Sequence, residues 1–428
     1  MRAAPPTSRT SATDDGIIGG MTDLLQGINV IDFGSFVAAP AATTAMSDFG
    51  ANVIKVEPPE GDSYRRLLAT RPIDYFWLLT SRNKRGLALD LKTPDAHPIL
   101  DALIDWADVL VTNYRGSLLD KLGLDYEELR TRNPRLIFAH LAGYGRNGPE
   151  AERPAFDTTA WWGRSGIQEF TRDVGGRPVI SAPGMGDHAA AMSLFGAVMA
   201  ALYRRERTGE GAYVGTSLLA NGIWSNGMVL QAMLGGEDWS TLKHSGGSPR
   251  QSLADLYQSA DERWIQLSLL NPAREWPQFA AAMDRLEWLE DARFATPEDR
   301  LEHVDALEST IAEVIATLPL SEFRERMDAR GLTYGFAARN HELVDDAQIL
   351  DNEMLVPTAE GEGVYGRTVS NPIYIEGEKK RTPSRAPEIG EHTREILAEL
   401  GFTAQRIEDW LDKGVVAAPG NAAGQKSV

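Results

Sequence analysis

The chain has 428 residues, of which 43% are apolar and 8% aromatic, so it is long enough for two globular domains and too apolar for a disordered protein. Its formal net charge of −18 argues against nucleic acid or an anionic membrane as the main partner. Because it contains no cysteine, disulfides, thiol catalysis and Cys-ligated zinc are excluded, and a reducing cytoplasm is the natural setting.

Both ends of the chain are rich in Ala, Pro, Gly and Ser, which predicts flexible tails at residues 1–21 and 415–428. The opening residues lack an apolar segment of signal-peptide length, and no run of 18 apolar residues occurs. We therefore expect a cytoplasmic protein that has neither nucleic acid nor membrane as a partner.

The folded part is predicted to begin with a strand at 27–34, a helix that ends near Gly50, and a second strand at 51–57. This is a βαβ unit, for which a right-handed crossover and ligands at the carboxyl ends of the strands are expected. The same alternation continues in strands at 86–91, 108–112 and 136–141 and in helices at 93–106, 117–122 and 125–132. The pattern predicts an α/β fold with a parallel sheet.

No G-x-G-x-x-G follows the first strand, and no P-loop motif occurs, so neither nucleotide fingerprint is supported. Two basic clusters stand at the ends of predicted strands instead, one at 81–85 (SRNKR) and one formed by Asn113, Arg115 and Lys121. Arg and Lys beside Asn and an aromatic ring are suited to holding phosphates and stacking on adenine. A solvated basic surface explains the same residues, and both interpretations stay open.

A long helix is predicted after Gly184, Gly186 and Asp187, with apolar residues at helical spacing as far as Tyr203 and a C-terminal Gly209. The two glycines allow a ligand to approach the backbone closely. Asp187 would lie at the positive end of the helix dipole, which favours the ionised carboxylate of a nucleophile. A helix cap is the alternative role, because Asp is a common N-cap residue.

The composition changes after a strand at 212–218 and a helix at 219–234, where glycine-rich loops begin. We place a large domain at 22–234, a small domain at 235–335 and a return to the large domain at 336–414. Within these limits we predict a strand at 264–269, mainly helices at 273–330, a β-hairpin at 356–375 and helices at 393–400 and 403–413.

Seven blocks of sequence, in order and at similar spacing, resemble the class III CoA-transferases, a family that includes formyl-CoA transferase and the crotonobetainyl-CoA:carnitine enzyme. The blocks are GINVIDF (27–33), DFGANVIKVE (48–57), NKRGLALDL (83–91), ADVLVTN (107–113), NPRLI (133–137), GYGRNGP (143–149) and TGEG (208–211). The resemblance covers about residues 22–415, which makes it more specific than any single motif.

The resemblance implies a large Rossmann-like domain with a parallel sheet, a smaller α+β domain, and two subunits threaded through each other as an interlocked homodimer. It also implies an activity in which CoA moves from an acyl-CoA to a carboxylic acid. In that chemistry Asp187 forms an acyl-aspartyl anhydride and then an aspartyl-CoA thioester, so that one difficult exchange becomes several easier steps.

The remaining site residues also follow from the resemblance. The Gly186 amide is expected to donate to an oxyanion, and Gly246 and Gly247 to form a loop that covers the reactive intermediates. Coenzyme A is the expected co-substrate, with contacts from Val37, Ala38, Arg82, Asn83, Lys84, Arg85, Asn113, Tyr114, Arg115 and Lys121. The sequence departs from some relatives at Pro58, where they have Arg, and at Ala142, where formyl-CoA transferase has Lys.

Two other functions are weighed against CoA transfer. The 2-methylacyl-CoA racemases of the same fold use the shared Asp and a His that precedes another Asp, but here that pair is Phe156 and Asp157. Proton transfer on both faces of a carbon needs two bases, which disfavours a racemase. An acyl-CoA binding protein without catalysis is the other alternative, and the presence of Asp187 argues against it.

Two further groups of side chains have uncertain roles from sequence alone. Trp161 and Trp162 either line an acyl pocket, which would then accept a group larger than formyl, or pack in the core. The seven histidines include no pair at metal-ligand spacing, so no metal site is predicted.

Overall fold

A computed structural model of the protein describes residues 23–67, 74–239, 253–363 and 365–420. The predicted tail at 1–21 lies outside these residues. The chain divides into two compact units, one made of Met1–Glu169, Val179–Gly227 and Met354–Val428 and the other of Phe170–Pro178 and Met228–Glu353. The second unit therefore starts before residue 235 and ends after residue 335, the limits expected from the sequence.

The first unit is built on a seven-stranded sheet. Its strands are β1 (Asn29–Asp32), β2 (Asn52–Glu57), β3 (Arg85–Leu89), β4 (Val109–Thr112), β5 (Ile137–Ala142), β6 (Ala212–Ser217) and β12 (Val416–Ala417). Their order is β12-β3-β2-β1-β4-β5-β6. All neighbours pair in parallel except β12, which is antiparallel to β3. The predicted α/β class is confirmed, and the order 3-2-1-4-5-6 is that of doubly wound folds.

Helices cover both faces of this sheet. The helices of this unit are α1 (Ala38–Asp48), α2 (Tyr75–Ser81), α3 (His97–Trp106), α4 (Gly116–Lys121), α5 (Tyr126–Arg132), α7 (Met185–Thr208), α8 (Leu218–Ser225), α16 (Thr393–Glu399) and α17 (Ala404–Asp412). The division between the two units falls inside α6 (Ile167–Thr171). Strands β4 and β5 are buried along their whole length, as expected for parallel strands with helices on both sides. The two faces form separate cores, one with α3 and α17 and the other with α1 and α7.

Helix α7 carries Asp187 in its first turn. It begins after Gly184 and ends before Gly209, and both glycines adopt the left-handed conformation. The helix packs on α1, β5, β6 and α8. Among the described residues it is the one helix long and apolar enough to cross a membrane by length and composition, and core helices share those properties.

Two predictions about element boundaries are wrong. The predicted helix at 219–234 is two helices, α8 and α9 (Gly227–Leu234), because Asn226 ends the first one and its side chain donates to the Ser165 carbonyl at 3.1 Å. The predicted tail at 415–428 is ordered from 415 to 420. Val416 is buried and pairs with β3, since apolar residues stabilise the sheet edge whatever the composition around them.

The predicted hairpin at 356–375 is confirmed by β10 (Leu355–Pro357), which pairs antiparallel with β11 (Arg367–Val369). The second unit contains the antiparallel strands β7 (Leu256–Gln258), β8 (Trp264–Leu267) and β9 (Tyr334–Phe336). Its further helices, among the residues that the structure describes, are α10 (Pro272–Ala282), α11 (Pro297–Glu302), α12 (Val304–Ile315), α13 (Leu320–Asp328), α14 (Asn340–Leu343) and α15 (Ala347–Asp351). Trp276, Phe279 and Trp288 lie at the centre of its own apolar core.

Candidate active site

The strand order reverses between β1 and β4, and doubly wound folds bind ligands outside the carboxyl ends of the strands at this point. The two strand ends are tied together here. The Ser35 amide donates to Asn113 Oδ1 at 2.9 Å, and Asn113 Nδ2 donates to the Ser35 carbonyl at 2.8 Å. Asn113 therefore shapes the crevice by holding the loop after β1, and only its remaining hydrogen-bonding capacity is open to a ligand.

A cleft of about 340 Å³ opens at this switch point. The ends of β1, β2 and β4 supply its walls, which include Ser35, Pro58, Asp62, Arg66 and Tyr114. Of the expected CoA-binding residues, the cleft is lined by Tyr114 alone among the described residues. Arg66 was not expected from the sequence. Arg66 is the last residue of a 3₁₀ turn (Ser63–Arg66), which follows the end of β2 after a short loop. No local sequence pattern specifies the path of that loop.

Below the cleft lies a buried ionic cluster. Asp62 accepts from Ser35 Oγ at 2.8 Å and forms an ion pair with Lys55 at 3.3 Å, and Lys55 also donates to the Gly34 carbonyl. Burial would lower the pKa of Lys55, but the charges of Asp32 and Asp62 raise it above its usual value. These charges are neutralised internally, so the floor of the cleft is polar without a strong net charge.

The expectation that Lys84 contacts CoA is not supported by its position. Its ammonium group is fully buried and donates to Asp32 Oδ2 at 2.9 Å and to the carbonyls of Pro40 and Thr80. Burial lowers the pKa of Lys84 to about 8, against the opposing effect of Asp32. Burial would raise the pKa of Asp32, but the ammonium groups of Lys84 and Lys55 hold it below its usual value. All three donors of Lys84 are used inside the protein.

Arg82 and Asn83 also have internal partners instead of facing the cleft. Arg82 is buried and makes a bidentate pair with Asp48 at 2.7 and 3.0 Å. Asn83 has a φ of 61°, and its side-chain oxygen accepts from the Ser384 amide at 2.7 Å. Asn83 links the returning C-terminal segment to the end of α1, because its Nδ2 donates to Asp48 Oδ1 at 3.3 Å. These pairings have a physical reason, because a charged loop residue is drawn to whichever opposite charge the fold brings near it.

The other expected CoA-binding residues are spread along the sheet. Arg85 pairs with Glu395 and Glu399 on α16, and Arg115 is exposed and donates to the Glu152 carbonyl at 3.1 Å. Lys121 is exposed in the last turn of α4. Val37 is the N-cap of α1 and Ala38 its first residue. Gly246 and Gly247 lie outside the described residues.

Asp187 is half-buried in the first turn of α7. Burial, and secondarily the negative charge of Asp157, raises the pKa of Asp187 to about 7. The sequence predicted that the helix dipole favours the ionised carboxylate, whereas the net shift of the pKa is upward. A dipole contributes about 0.3–1 kcal/mol, which is less than the cost of burying the charge.

Asp157 was considered from the sequence only in connection with a racemase, yet it is central to this site. It is buried at the start of a π-helical turn (Thr158–Gly163), a geometry frequent at functional sites. Its Oδ2 accepts from the Gly186 amide at 3.3 Å. The Gly186 amide thus has a partner at this distance, and the expected role as an oxyanion donor would require the amide to exchange that partner for the substrate oxygen.

Gly186 has a packing role that the sequence did not reveal. A Cβ at this position would lie 2.5 Å from Cβ of Trp161, so only glycine lets the helix start approach the indole. Trp161 and Trp162 are both buried, stack with centroids 5.9 Å apart and belong to the core. Core packing is therefore the role that their positions support.

Phe36, Tyr64 and Phe76 form an aromatic group, and its central ring, Tyr64, lies within electrostatic range of Asp187. Tyr64 is buried, and its pKa is raised by burial and then by the charges of Asp74, Asp187 and Asp62. Its ring contacts those of Phe36 and Phe76, with centroids 5.7 and 6.1 Å away. A cavity of about 280 Å³ lies along α2. Phe76, Leu79 and Val369 are in its walls, together with the charged residues Arg82, Glu360, Arg367 and Arg385. Phe76 thus belongs both to this cavity and to the aromatic group that contains Tyr64.

The described residues contain no group of three or more His, Asp or Glu side chains able to hold a metal ion.

The fold and these features describe a class: a doubly wound protein with a ligand cleft at its switch point and a half-buried carboxylate at the start of a long helix. A family model described as CoA-transferase family III matches residues 25–393. The chain therefore belongs to CoA-transferase family III, and the protein is a CoA-transferase that uses CoA thioesters as co-substrates.

Two curated relatives illustrate the similarity. The chain is 33% identical over 402 residues to the (R)-2-hydroxy-4-methylpentanoate CoA-transferase of Clostridioides difficile, covering 92% of this chain and 99% of the relative. It is 30% identical over 395 residues to the cinnamoyl-CoA:phenyllactate CoA-transferase of Clostridium sporogenes, covering 91% of this chain and 96% of the relative.

Solved structures share the fold. A CAIB/BAIF family protein from Brucella suis aligns with a TM-score of 0.78 and 25% identity, covering 89% of this chain and 100% of the other. The orthorhombic form of Rv3272 from Mycobacterium tuberculosis aligns with a TM-score of 0.77 and 28% identity, covering 88% and 99%.

Proposed function

We propose that Asp187 is the nucleophile that transfers CoA between an acyl-CoA and a carboxylic acid. The observation that carries the proposal is a half-buried carboxylate in the first turn of α7 whose pKa is raised to about 7. Such a group is ionised often enough at neutral pH to attack, and it is more basic than an ordinary aspartate. Both properties suit a nucleophile that must form an anhydride.

The reaction balances in four steps. The Asp187 carboxylate attacks the thioester carbonyl and expels CoA thiolate, which leaves an acyl-aspartyl anhydride. The thiolate attacks the Asp187 carbonyl of that anhydride, so the donor acid departs and an aspartyl-CoA thioester remains. The acceptor carboxylate displaces the thiolate to form a second anhydride. The thiolate then attacks the acceptor's carbonyl, which gives the new acyl-CoA and regenerates Asp187.

The CoA nucleotide is proposed to bind in the cleft at the ends of β1, β2 and β4. Support comes from the position of the cleft at the strand-order reversal and from Tyr114 in its wall. Arg115 and Lys121 are exposed beyond β4 and remain proposed phosphate contacts. Gly246 and Gly247, outside the described residues, remain the proposed cover of the intermediates.

The acid is proposed to carry a branched or aromatic side chain. Support comes from the aromatic group of Phe36, Tyr64 and Phe76 and from the apolar part of the cavity along α2, formed by Phe76, Leu79 and Val369. The names of the two relatives, which refer to 2-hydroxy-4-methylpentanoate and phenyllactate, agree with this substrate class.

The protein is proposed to act in the cytoplasm as an interlocked homodimer. In the first unit, Trp224 is 86% exposed and Tyr203 65% exposed, together with Ile223. Large apolar side chains exposed in this way are typical of surfaces that another protein chain covers.

Trapping of the covalent intermediate tests the mechanism. Incubation with an acyl-CoA and then hydroxylamine is expected to modify Asp187, as read by peptide mass spectrometry. Asp187→Ala should abolish both the modification and CoA transfer, whereas Asp412→Ala, which removes an exposed carboxylate in α17, should change neither. Transfer at the normal rate by Asp187→Ala would refute the mechanism, and intact CoA binding without modification of Asp187 in the native protein would favour the non-catalytic binder.

A racemase-like proton transfer is the second candidate, and one observation favours it. A carboxyl with a pKa of about 7 is suited to general acid–base work at neutral pH. His188 lies near the same Asp157 charge, although burial lowers the pKa of the imidazole. In deuterium oxide a racemase would exchange the α-proton of a 2-methylacyl-CoA without an acceptor acid. A CoA-transferase should show no such exchange.

A further inference from the structure

We propose that Arg66 binds the ribose 3′-phosphate of coenzyme A and makes the enzyme prefer CoA thioesters to dephospho-CoA thioesters. The inference rests on the proposed function, since it takes the cleft at the switch point as the nucleotide site. The inference extends the proposed function, because it assigns the 3′-phosphate of CoA to the side chain of Arg66.

The carboxyl end of β2 is where doubly wound folds meet the ribose of a bound nucleotide. An acidic residue there binds the hydroxyls of an unphosphorylated ribose, whereas a nearby Arg accommodates a ribose phosphate. In this protein β2 ends at Glu57, and the chain then turns through a short loop into the 3₁₀ turn Ser63–Arg66. The sequence therefore contains both an acidic residue and nearby arginines at this strand end. The contacts of these side chains decide which kind of ribose recognition is possible.

Glu57 cannot serve a ribose hydroxyl because its oxygens are already used. Arg65 Nε donates to Oε2 and Arg65 Nη2 to Oε1, both at 2.8 Å, and the Asp62 amide donates to Oε2 at 2.9 Å. The Glu57 side chain is 0% exposed. Arg65 therefore occupies the carboxylate of Glu57, so that Glu57 is not accessible to a ligand. The charge of Arg65 is neutralised by the same ion pair.

Arg66 has the opposite placement. It is exposed and lines the cleft, and among the described lining residues it is the one cationic side chain. Its Nη2 donates to the Glu60 carbonyl at 2.6 Å, which orients the guanidinium while leaving further N–H donors for a phosphate. Two carboxylates line the same cleft. Asp62 is buried and paired with Lys55 at 3.3 Å, whereas Glu60 is exposed, so solvent screens its effect on the charge of Arg66.

Titration calorimetry with CoA and with dephospho-CoA tests the assignment without requiring turnover. The native enzyme is expected to bind CoA about 10- to 100-fold more tightly than dephospho-CoA, the range for hydrogen bonds to charged groups. Arg66→Ala should remove that preference by weakening CoA binding alone, and Arg66→Lys should retain part of it. Arg130→Ala, which removes an exposed arginine on α5, is the matched control and should leave both affinities unchanged.

The outcomes separate the two proposals. If Arg66→Ala weakens both ligands equally, or neither, the assignment of the 3′-phosphate is overturned while the CoA-transfer mechanism stands. If the Arg66-dependent preference is seen but Asp187→Ala still transfers CoA, the mechanism fails and the phosphate site stands. A native enzyme that binds neither ligand would overturn both.

Discussion

Asp187 and Asp157 are two carboxylates whose surroundings give them different roles. Asp157 is buried and hydrogen-bonded to the Gly186 amide, and its charge adds to the burial that raises the pKa of Asp187. Two nearby carboxylates with different environments are a common way for one site to hold a reactive group at neutral pH.

This pair gives a prediction about pH. The rate of anhydride formation should fall as the pH drops through about 7, because protonated Asp187 cannot attack. In Asp157→Asn the fall in rate should occur at lower pH, because the charge of Asp157 is one of the two causes of the raised pKa of Asp187. Single-turnover kinetics with an acyl-CoA measures the pH dependence of both enzymes. An unchanged pH dependence in Asp157→Asn would contradict the assigned effect of Asp157 on the pKa of Asp187.

The same carboxylate should reduce stability at high pH. The folded pKa of Asp187 lies above the unfolded value of 3.8, so ionisation costs folding energy that grows as the pH rises from about 4 to 7. Asp187→Asn should therefore stabilise the protein, by about 1–3 kcal/mol more at pH 8 than at pH 5. Urea unfolding at both pH values checks this. An equal effect at both would show that the carboxylate is not destabilised by the fold.

At the scale of elements, helix α7 contains two glycines, Gly186 and Gly196, that differ in the space available for a side chain. Gly186→Ala should destabilise the protein by about 1–3 kcal/mol, because the new methyl group meets Trp161 and the helix start must move away. Gly196 is the matched control on the same helix, since a Cβ there would meet nothing within 4 Å. Gly196→Ala should stabilise by about 0.5–1 kcal/mol through helix propensity alone. Thermal unfolding compares the two, and similar effects would refute the packing argument.

Strands β1 and β3 are joined through a buried ion pair between Asp32 and Lys84. Lys84→Met should destabilise the protein by about 3–5 kcal/mol, because the Asp32 charge would lose a buried partner. Adding Asp32→Asn should recover part of that loss. A Lys84→Met variant of normal stability with weakened CoA binding would instead restore the role that the sequence suggested for this lysine.

At the scale of the whole molecule, the proposed interlocked homodimer consists of two linked rings, which could not separate while folded. Light scattering should therefore give twice the monomer mass at every dilution of native protein, and dissociation in urea should coincide with unfolding. A monomer in native buffer, or a dimer that dissociates on dilution before unfolding, would contradict the interlocked arrangement.

The sequence by itself determined the α/β class, the family and the candidate nucleophile. Buried strands such as β4 are continuous apolar runs, and the residues from Gly184 to Gly209 carry both ends of α7, so short-range patterns were sufficient. The seven matching blocks were sufficient to identify the family, because their order and spacing are properties of the chain alone.

Only the tertiary structure decided which charged residues have internal partners. Lys84 is paired with a residue 52 positions away, Arg82 with one 34 positions away, and Gly186 with Asp157 across 29 positions. Electrostatic energies depend on distance and burial in space, and neither is set by separation along the chain. For the same reason Arg66 and the raised pKa of Asp187 emerged only after β2, α2 and α7 were placed around the site.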